Sequence, residues 1–172
     1  MMKQIDKVSF NKWIIIFIWI LVLTVLETVM QNLFKINSVM PDLLFVFSLS
    51  VASVKKELKD IILIAVVCGI ISDFICHSHS FGYMAVYTYS AMGIYFLKSV
   101  FLKPNIFFMS VFALVIFLFA KTIIYPVFYF DKGIGFGTYF VNNGVPQAFY
   151  NTLCFFIITM ILKLSKKREE KM

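Results

Sequence analysis

A few charged side chains stand inside the long apolar runs of this chain, where they could support acid–base or ion-binding chemistry. The acids are Glu27, Asp42 and Asp73, and one lysine, Lys121, lies within a later apolar run. A charged group surrounded by hydrocarbon is costly, so such residues usually mark either a function or a required pairing. These four residues are therefore the first candidates for a site.

Two interpretations of these residues remain open at the level of sequence. In the first, each acid reaches water or a helix end. Asp42 would then lie in the first turn of a helix that starts at Pro41, near exposed amides and the positive end of the helix dipole, and Lys121 would extend to the membrane surface. In the second, Lys121 pairs with one of the three acids, and together with Asn151 they form a polar cluster. We expect the second arrangement because of the cost of an isolated charge, but the sequence does not select the acid.

Other chemistries find little support in the motifs. The sequence has no GxSxG, P-loop or HExxH pattern, and its GIGFG string lacks the spacing and the preceding strand of a dinucleotide site. His77 and His79 lie close to Asp73, but two histidines in a short polar turn are typical of solvated residues. The three cysteines lie in apolar runs without metal-ligand or redox spacing. We expect a protein that is not an enzyme and holds no metal or cofactor.

The composition of the chain indicates a membrane protein. The 172 residues are 61% hydrophobic, 18% aromatic and only 15% charged, whereas charged residues make up about a quarter of a typical soluble domain. We therefore predict an all-α integral membrane protein with one domain over residues 1–172. Its length allows six spans of roughly 20 residues each, at about 13–34, 40–54, 61–76, 82–97, 105–130 and 145–164.

The distribution of Lys and Arg predicts the orientation of these spans. Thirteen basic residues fall at the N-terminus, in the second and fourth connectors and in the C-terminal tail, against two in the other connectors, Lys35 and Lys132. By the positive-inside rule, both termini are cytoplasmic. The net charge of +7 then matches an anionic lipid surface, and nucleic acid is not an expected partner.

The same topology places the charged candidates at similar depths. At about 1.5 Å of rise per residue, Glu27, Asp73 and Lys121 lie roughly 18 to 24 Å from the cytoplasmic ends of their spans. Asp42 and Asn151 lie near the start of spans that enter from outside. All five residues are therefore expected in the outer half of the membrane.

Four short patterns in this order resemble the bacterial rod shape-determining protein MreD family. They are a Pro-Asp-Leu opening to the second span, a Gly-x-x-x-Asp pattern in the third, a glycine that opens the fourth, and a proline and an asparagine in the last. The residues that carry them are Pro41, Asp42, Gly69, Asp73, Gly82, Pro146 and Asn151. The resemblance covers nearly the whole chain, although Lys121 has no counterpart in the family pattern.

This resemblance implies a non-enzymatic component of the cell-wall elongation (rod shape) complex in the bacterial inner membrane. The implied role is to support cell shape and peptidoglycan synthesis. MreC is the main implied partner, and MreB, a RodA-type glycosyltransferase and a class B penicillin-binding protein are further ones. Small residues such as Gly69 and Gly93 would allow helices to approach closely.

A second function belongs to a different class. The MreD fold is similar to that of the substrate-binding subunits of energy-coupling-factor vitamin transporters, which have six helices and an outward cavity. In such a subunit Glu27, Asp73 and Lys121 would bind a small molecule. Those subunits commonly have an Ala-x-x-x-Ala pattern in the first span, and no two alanines in this chain are four residues apart. Its absence counts against this alternative.

Overall fold

The chain forms helices joined by short connections. The computed structural model describes residues 2–33, 39–76, 81–101, 105–128, 133 and 135–169, and no β-strand occurs among them. The helices are α1 (Met2–Leu33), α2 (Leu43–Val54), α3 (Leu58–Ile75), α4 (Gly82–Val100), α5 (Ile106–Phe128), α6 (Phe136–Tyr139) and α7 (Val145–Glu169). The all-α prediction is confirmed.

Helix α2 begins later than the sequence suggests. Asp42 is the N-cap, and its side chain accepts a hydrogen bond from the Phe45 amide. Because a cap residue precedes the first helical residue, Pro41 and Asp42 both lie outside the first turn. The prediction that Pro41 starts the helix was therefore wrong by two residues.

Part of the segment that was predicted to be a loop is helical. Residues 131–143 were expected to connect the last two spans, yet α6 begins at Phe136 and a π-helical turn, Phe140–Gly144, joins it to α7. The glycines and asparagines of this segment suggested a loop, but a π turn accommodates them inside a helix. The predicted polar turns at 35–38 and 77–80, with His77 and His79, lie outside the described residues.

Helix α2 is the centre of the bundle. Its residues from Leu44 to Ser53 are all buried, and it packs against α1, α3, α4 and α7. A helix that is apolar on every side is buried on every side. The Phe45 ring stacks on Tyr87 of α4, with ring centroids 4.4 Å apart, and meets the edge of Phe117 of α5 at 5.1 Å.

The remaining helices surround this core. Helix α3 packs closely along α4, and α5 packs against α4 and α7, while α1 touches α2 and α3. Two helical segments, Ile106–Pro126 and Phe136–Lys167, are long and apolar enough to cross a membrane; Ile14–Val29 and Leu43–Val54 are shorter apolar helices. Many large apolar side chains on α1 are exposed, as expected of a helix that faces lipid.

Candidate functional site

The N-terminal end of α2 is fixed by Asp42 and Asn151. Asp42 Oδ1 accepts from the Phe45 amide at 3.0 Å, and the Asp42 amide donates to Asn151 Oδ1 on α7 at 2.8 Å. Asp42 is 6% exposed and Asn151 is fully buried. The cap therefore joins the first residues of α2 to the last helix of the chain. The Asn151 Nδ2 atom has no hydrogen-bond partner within the described ranges.

A chain of hydroxyl groups extends this cap to α3 and α4. Tyr87 donates its hydroxyl proton to Asp42 Oδ1, and the Tyr87 oxygen lies 2.9 Å from Ser72 Oγ. Because Tyr87 has one hydroxyl proton and gives it to Asp42, Ser72 is the donor of the second bond. Tyr87 is fully buried and Ser72 is 2% exposed. One carboxylate therefore links α2 to α4 directly and to α3 through Tyr87.

Glu27 of α1 binds the same helix end. Its Oε2 accepts from the Leu44 amide at 3.3 Å, and the side chain is 8% exposed. The first amides of a helix lack partners within the helix and attract negative charge. Leu44 and Phe45 thus receive their acceptors from Glu27 and Asp42, respectively.

Gly69 and Asp73 form a second joint, between α3 and the start of α4. The two Asp73 carboxylate oxygens accept from the Tyr83 and Met84 amides at 3.1 and 3.0 Å. One turn earlier, a Cβ atom on Gly69 would lie 2.4 Å from Met84 Cα. The absence of a side chain at Gly69 permits the close contact between α3 and α4. Asp73 accepts hydrogen bonds from the two α4 amides that this contact brings near. The two residues of the Gly-x-x-x-Asp pattern therefore act at the same α3–α4 joint.

Gly93 does not play the same role as Gly69. A Cβ atom placed there would meet only the Ile116 side chain, at 3.8 Å, which is an ordinary contact. The prediction that both glycines allow close helix approach holds for Gly69 and was wrong for Gly93. Gly82 is the first residue of α4, and the residue before it, Phe81, adopts a left-handed conformation with φ 48°.

Lys121 is buried near these acids and forms no ion pair with a side chain that the structure describes. It is 4% exposed, and the charges of Asp42 and Glu27 act on it. The ion pairs found within the described ranges are Lys55–Asp60 and Lys59–Glu57, so the predicted direct pairing of Lys121 is not present there.

The predicted site residues thus fall into two adjacent groups and one outlier. The first group lies at the end of α2 (Glu27, Pro41, Asp42, Lys121 and Asn151), and the second at the α3–α4 joint (Gly69, Asp73 and Gly82). Ser72, which precedes Asp73, connects the groups through Tyr87. Pro146 lies in the first turn of α7 and is exposed.

Sequence reasoning missed Tyr87 and Ser72. The region from Gly82 to Gly93 is rich in tyrosine, but the number of tyrosines does not indicate which ring is buried. The available signal was spacing: Tyr83 and Tyr87 are four residues apart and share a helix face. Their rings meet edge to face at 6.0 Å.

The chemistry of this arrangement is that of helix capping. Oxygens of Glu27, Asp42 and Asp73 accept backbone amide protons, and where the structure is described no three His, Cys, Asp or Glu side chains are placed to hold a metal ion. The acids hold helix ends in fixed positions. Two of these capping residues, Asp42 and Asp73, also carry the family resemblance.

Comparison with known proteins places the chain in a family. The family described as rod shape-determining protein MreD matches residues 7–167. The chain belongs to the MreD family. No curated protein and no solved structure matches it, and the expected likeness to energy-coupling-factor subunits has no support from these comparisons.

Membership of the MreD family confirms the resemblance seen in the sequence and assigns the chain to rod shape determination. With two helices apolar enough to cross a membrane, it is a membrane protein. In this MreD-family chain, the Pro-Asp-Leu pattern is the start of α2 and the Gly-x-x-x-Asp pattern is the α3–α4 joint. Both patterns specify how helices meet.

Proposed function

We propose that this MreD-family chain is a non-enzymatic, six-span component of the bacterial inner membrane. It binds MreC within the cell-wall elongation complex and so supports cell shape and peptidoglycan synthesis. The observation that carries the proposal is the family match over residues 7–167. MreB, a RodA-type glycosyltransferase and a class B penicillin-binding protein are its further partners in that complex.

The burial of the family-pattern residues supports a scaffold in preference to an enzyme. Asp42, Asp73 and Asn151 are at most 6% exposed, so they act by fixing the bundle and not by touching a partner. Their oxygens are engaged by backbone amides. A bundle held rigid in this way offers a fixed outer surface to MreC.

The polarity of α2 supports the proposed orientation. Its first residues bind Glu27 and Asn151, while its last carbonyls accept from Lys98 and Lys166. Lysines at one end and acids at the other fit a bundle whose lysine end faces the cytoplasm. Both chain termini then lie on that side.

Recovery of MreC with the tagged protein in mild detergent tests the proposal. We expect MreC to co-purify with the wild type and to be reduced in Asp42→Ala and Asp73→Ala, whose cells should round up although the protein still inserts. Asp60→Ala is the matched control, because this acid pairs with Lys55 at the opposite end of the bundle. Undiminished MreC recovery and normal rods in both test variants would contradict the proposal, as would a coupling transmembrane subunit and its ATPase in place of MreC.

A further inference from the structure

Two lysines from different helices meet at the C-terminal end of α2. Lys98 of α4 donates to the Lys55 carbonyl at 2.7 Å, and Lys166 of α7 donates to the Val54 carbonyl at 3.4 Å. The last carbonyls of a helix lack partners within the helix and carry partial negative charge. The two contacts hold both ammonium groups at one place between α4 and α7.

Two further lysines, Lys163 and Lys56, add positive charge near Lys98. The charges of Lys166, Lys163 and Lys56 all act on Lys98, and we call these four residues the lysine cluster. Lys98, Lys163 and Lys166 are each partly buried, so water screens their repulsion less than it would on an open surface. The cluster therefore concentrates positive charge where repulsion is costly.

The nearby carboxylates whose side chains the structure describes, Asp60 and Glu57, are paired with other lysines. Asp60 binds Lys55 at 2.9 Å, and Glu57 lies 3.4 Å from Lys59. Among the side chains that the structure describes, no ion pair includes a member of the lysine cluster. Two carbonyl oxygens balance only part of the charge of four ammonium groups. The arrangement is that of an anion site whose protein acceptors are incomplete.

We propose that the lysine cluster binds a phosphate group, namely the phosphodiester headgroup of an acidic membrane lipid. Each ammonium has three donors, so Lys98 and Lys166 keep donors for phosphate oxygens after binding the α2 carbonyls. Basic pockets between helices on the cytoplasmic side of a membrane attract such headgroups. The inference rests on the orientation proposed above and not on the identity of the protein partner.

A lipid fits the surroundings better than a soluble phosphate ion does. On α7, Phe156 and Met160 are exposed and lie seven and three residues before Lys163, on the same face of the helix. Acyl chains can pack against them while the headgroup meets the lysines. A soluble ion would gain nothing from these side chains.

Native mass spectrometry of the full chain in mixed micelles tests the proposal, with phosphatidylglycerol and phosphatidylcholine of identical acyl chains as probes. The wild type should retain phosphatidylglycerol in preference to phosphatidylcholine. Lys98→Gln/Lys166→Gln removes both charges and keeps polar side chains that are one bond shorter. Retention should fall about fivefold for each lysine, and Lys98→Arg/Lys166→Arg should keep it.

Lys59→Gln is the matched control, because its side chain is 82% exposed and its partner is Glu57. Equal retention of the two lipids by the wild type would overturn the proposal. So would an equal loss in Lys59→Gln and the double variant. If inorganic phosphate displaces phosphatidylglycerol at similar concentration, the ligand is a soluble anion and the lipid assignment fails. The assay uses the isolated chain, so its outcome is independent of whether MreC co-purifies.

Discussion

The Cα atom of Met84 lies 2.4 Å from the point where a Cβ atom on Gly69 would stand. No real side chain fits at that distance, and the neighbouring atom belongs to the α4 backbone, which cannot turn aside. The start of α4 is therefore placed against α3 by the absence of a side chain. Asp73 then holds it there through the Tyr83 and Met84 amides.

Gly69→Ala should push α3 and α4 apart and lower the free energy of unfolding by about 1–3 kcal/mol, the usual cost of overpacking. Gly93→Ala is the control, because its new methyl group would have only an ordinary contact with Ile116. It should be neutral or raise stability by about 0.5–1 kcal/mol, since alanine favours a helix over glycine. Denaturant unfolding in detergent measures both, and equal stability of the two variants would contradict the close contact at Gly69.

Tyr87→Phe keeps the ring that stacks on Phe45 but removes the hydroxyl between Ser72 and Asp42. Because buried polar groups lose a partner, we expect a loss of about 1–3 kcal/mol in the free energy of unfolding. Tyr89→Phe removes the same atom from a side chain that is 74% exposed and should have little effect. If the two variants unfold alike, the hydroxyl chain does not contribute to stability.

Lys121→Met leaves Glu27 and Asp42 buried without the nearby positive charge. Removing one charge from a buried group of charges typically costs about 3–5 kcal/mol, and the amount of folded protein in the membrane should drop. Adding Glu27→Gln should restore part of it, because glutamine keeps an acceptor for the Leu44 amide and removes the excess negative charge. A double variant no better than Lys121→Met alone would argue against electrostatic coupling.

Exchange of charges between Lys121 and Asp73 should fail. Lys121→Asp combined with Asp73→Lys would remove both acceptors of the α4 amides and place a lysine at a helix N-terminus, where positive charge is unfavourable. We expect less folded protein than in either single variant, as measured by fluorescence-detected size exclusion. Rescue by the exchange would show instead that these two residues pair directly.

Reporter fusions test the proposed six-span topology. Alkaline phosphatase is active only outside the cytoplasm, so a fusion after Gly133 should be active and fusions after Glu57 or Phe101 inactive. A fluorescent protein at the C-terminus should fluoresce, as expected inside the cell. Phosphatase activity after Phe101 would rule out the predicted order of spans.

The sequence identified the important acids well but not their partners. Apolar context was enough to single out Glu27, Asp42 and Asp73, since a charge in such a run is costly wherever it points. Their acceptor roles depend on which helix ends come near, and that is decided by packing across the chain. Only the cap by Asp42 on its own helix was accessible from local sequence, and it favoured the first of the two interpretations.

The expected ion pair of Lys121 shows the limit of arguing from energetic cost alone. Burial makes a lone ammonium unfavourable, and a direct pair is the simplest remedy. Here the carboxylates of Glu27 and Asp42 accept helix amides instead, and Lys121 interacts with their charges from a greater distance. Competition from backbone amides cannot be read from the position of a lysine in the sequence.

Helix α7 supplies partners to both ends of α2. Asn151 accepts from the Asp42 amide, and Lys166 donates to the Val54 carbonyl, across separations of 109 and 112 residues. During synthesis these partners emerge last, and α2, with 12 residues, is too short to cross about 30 Å of hydrocarbon unaided. The nascent chain must therefore hold its central helix incompletely bonded until the final helix is inserted. A chain cut short before residue 151 would lack both the acceptor of the Asp42 amide and the donor to the Val54 carbonyl.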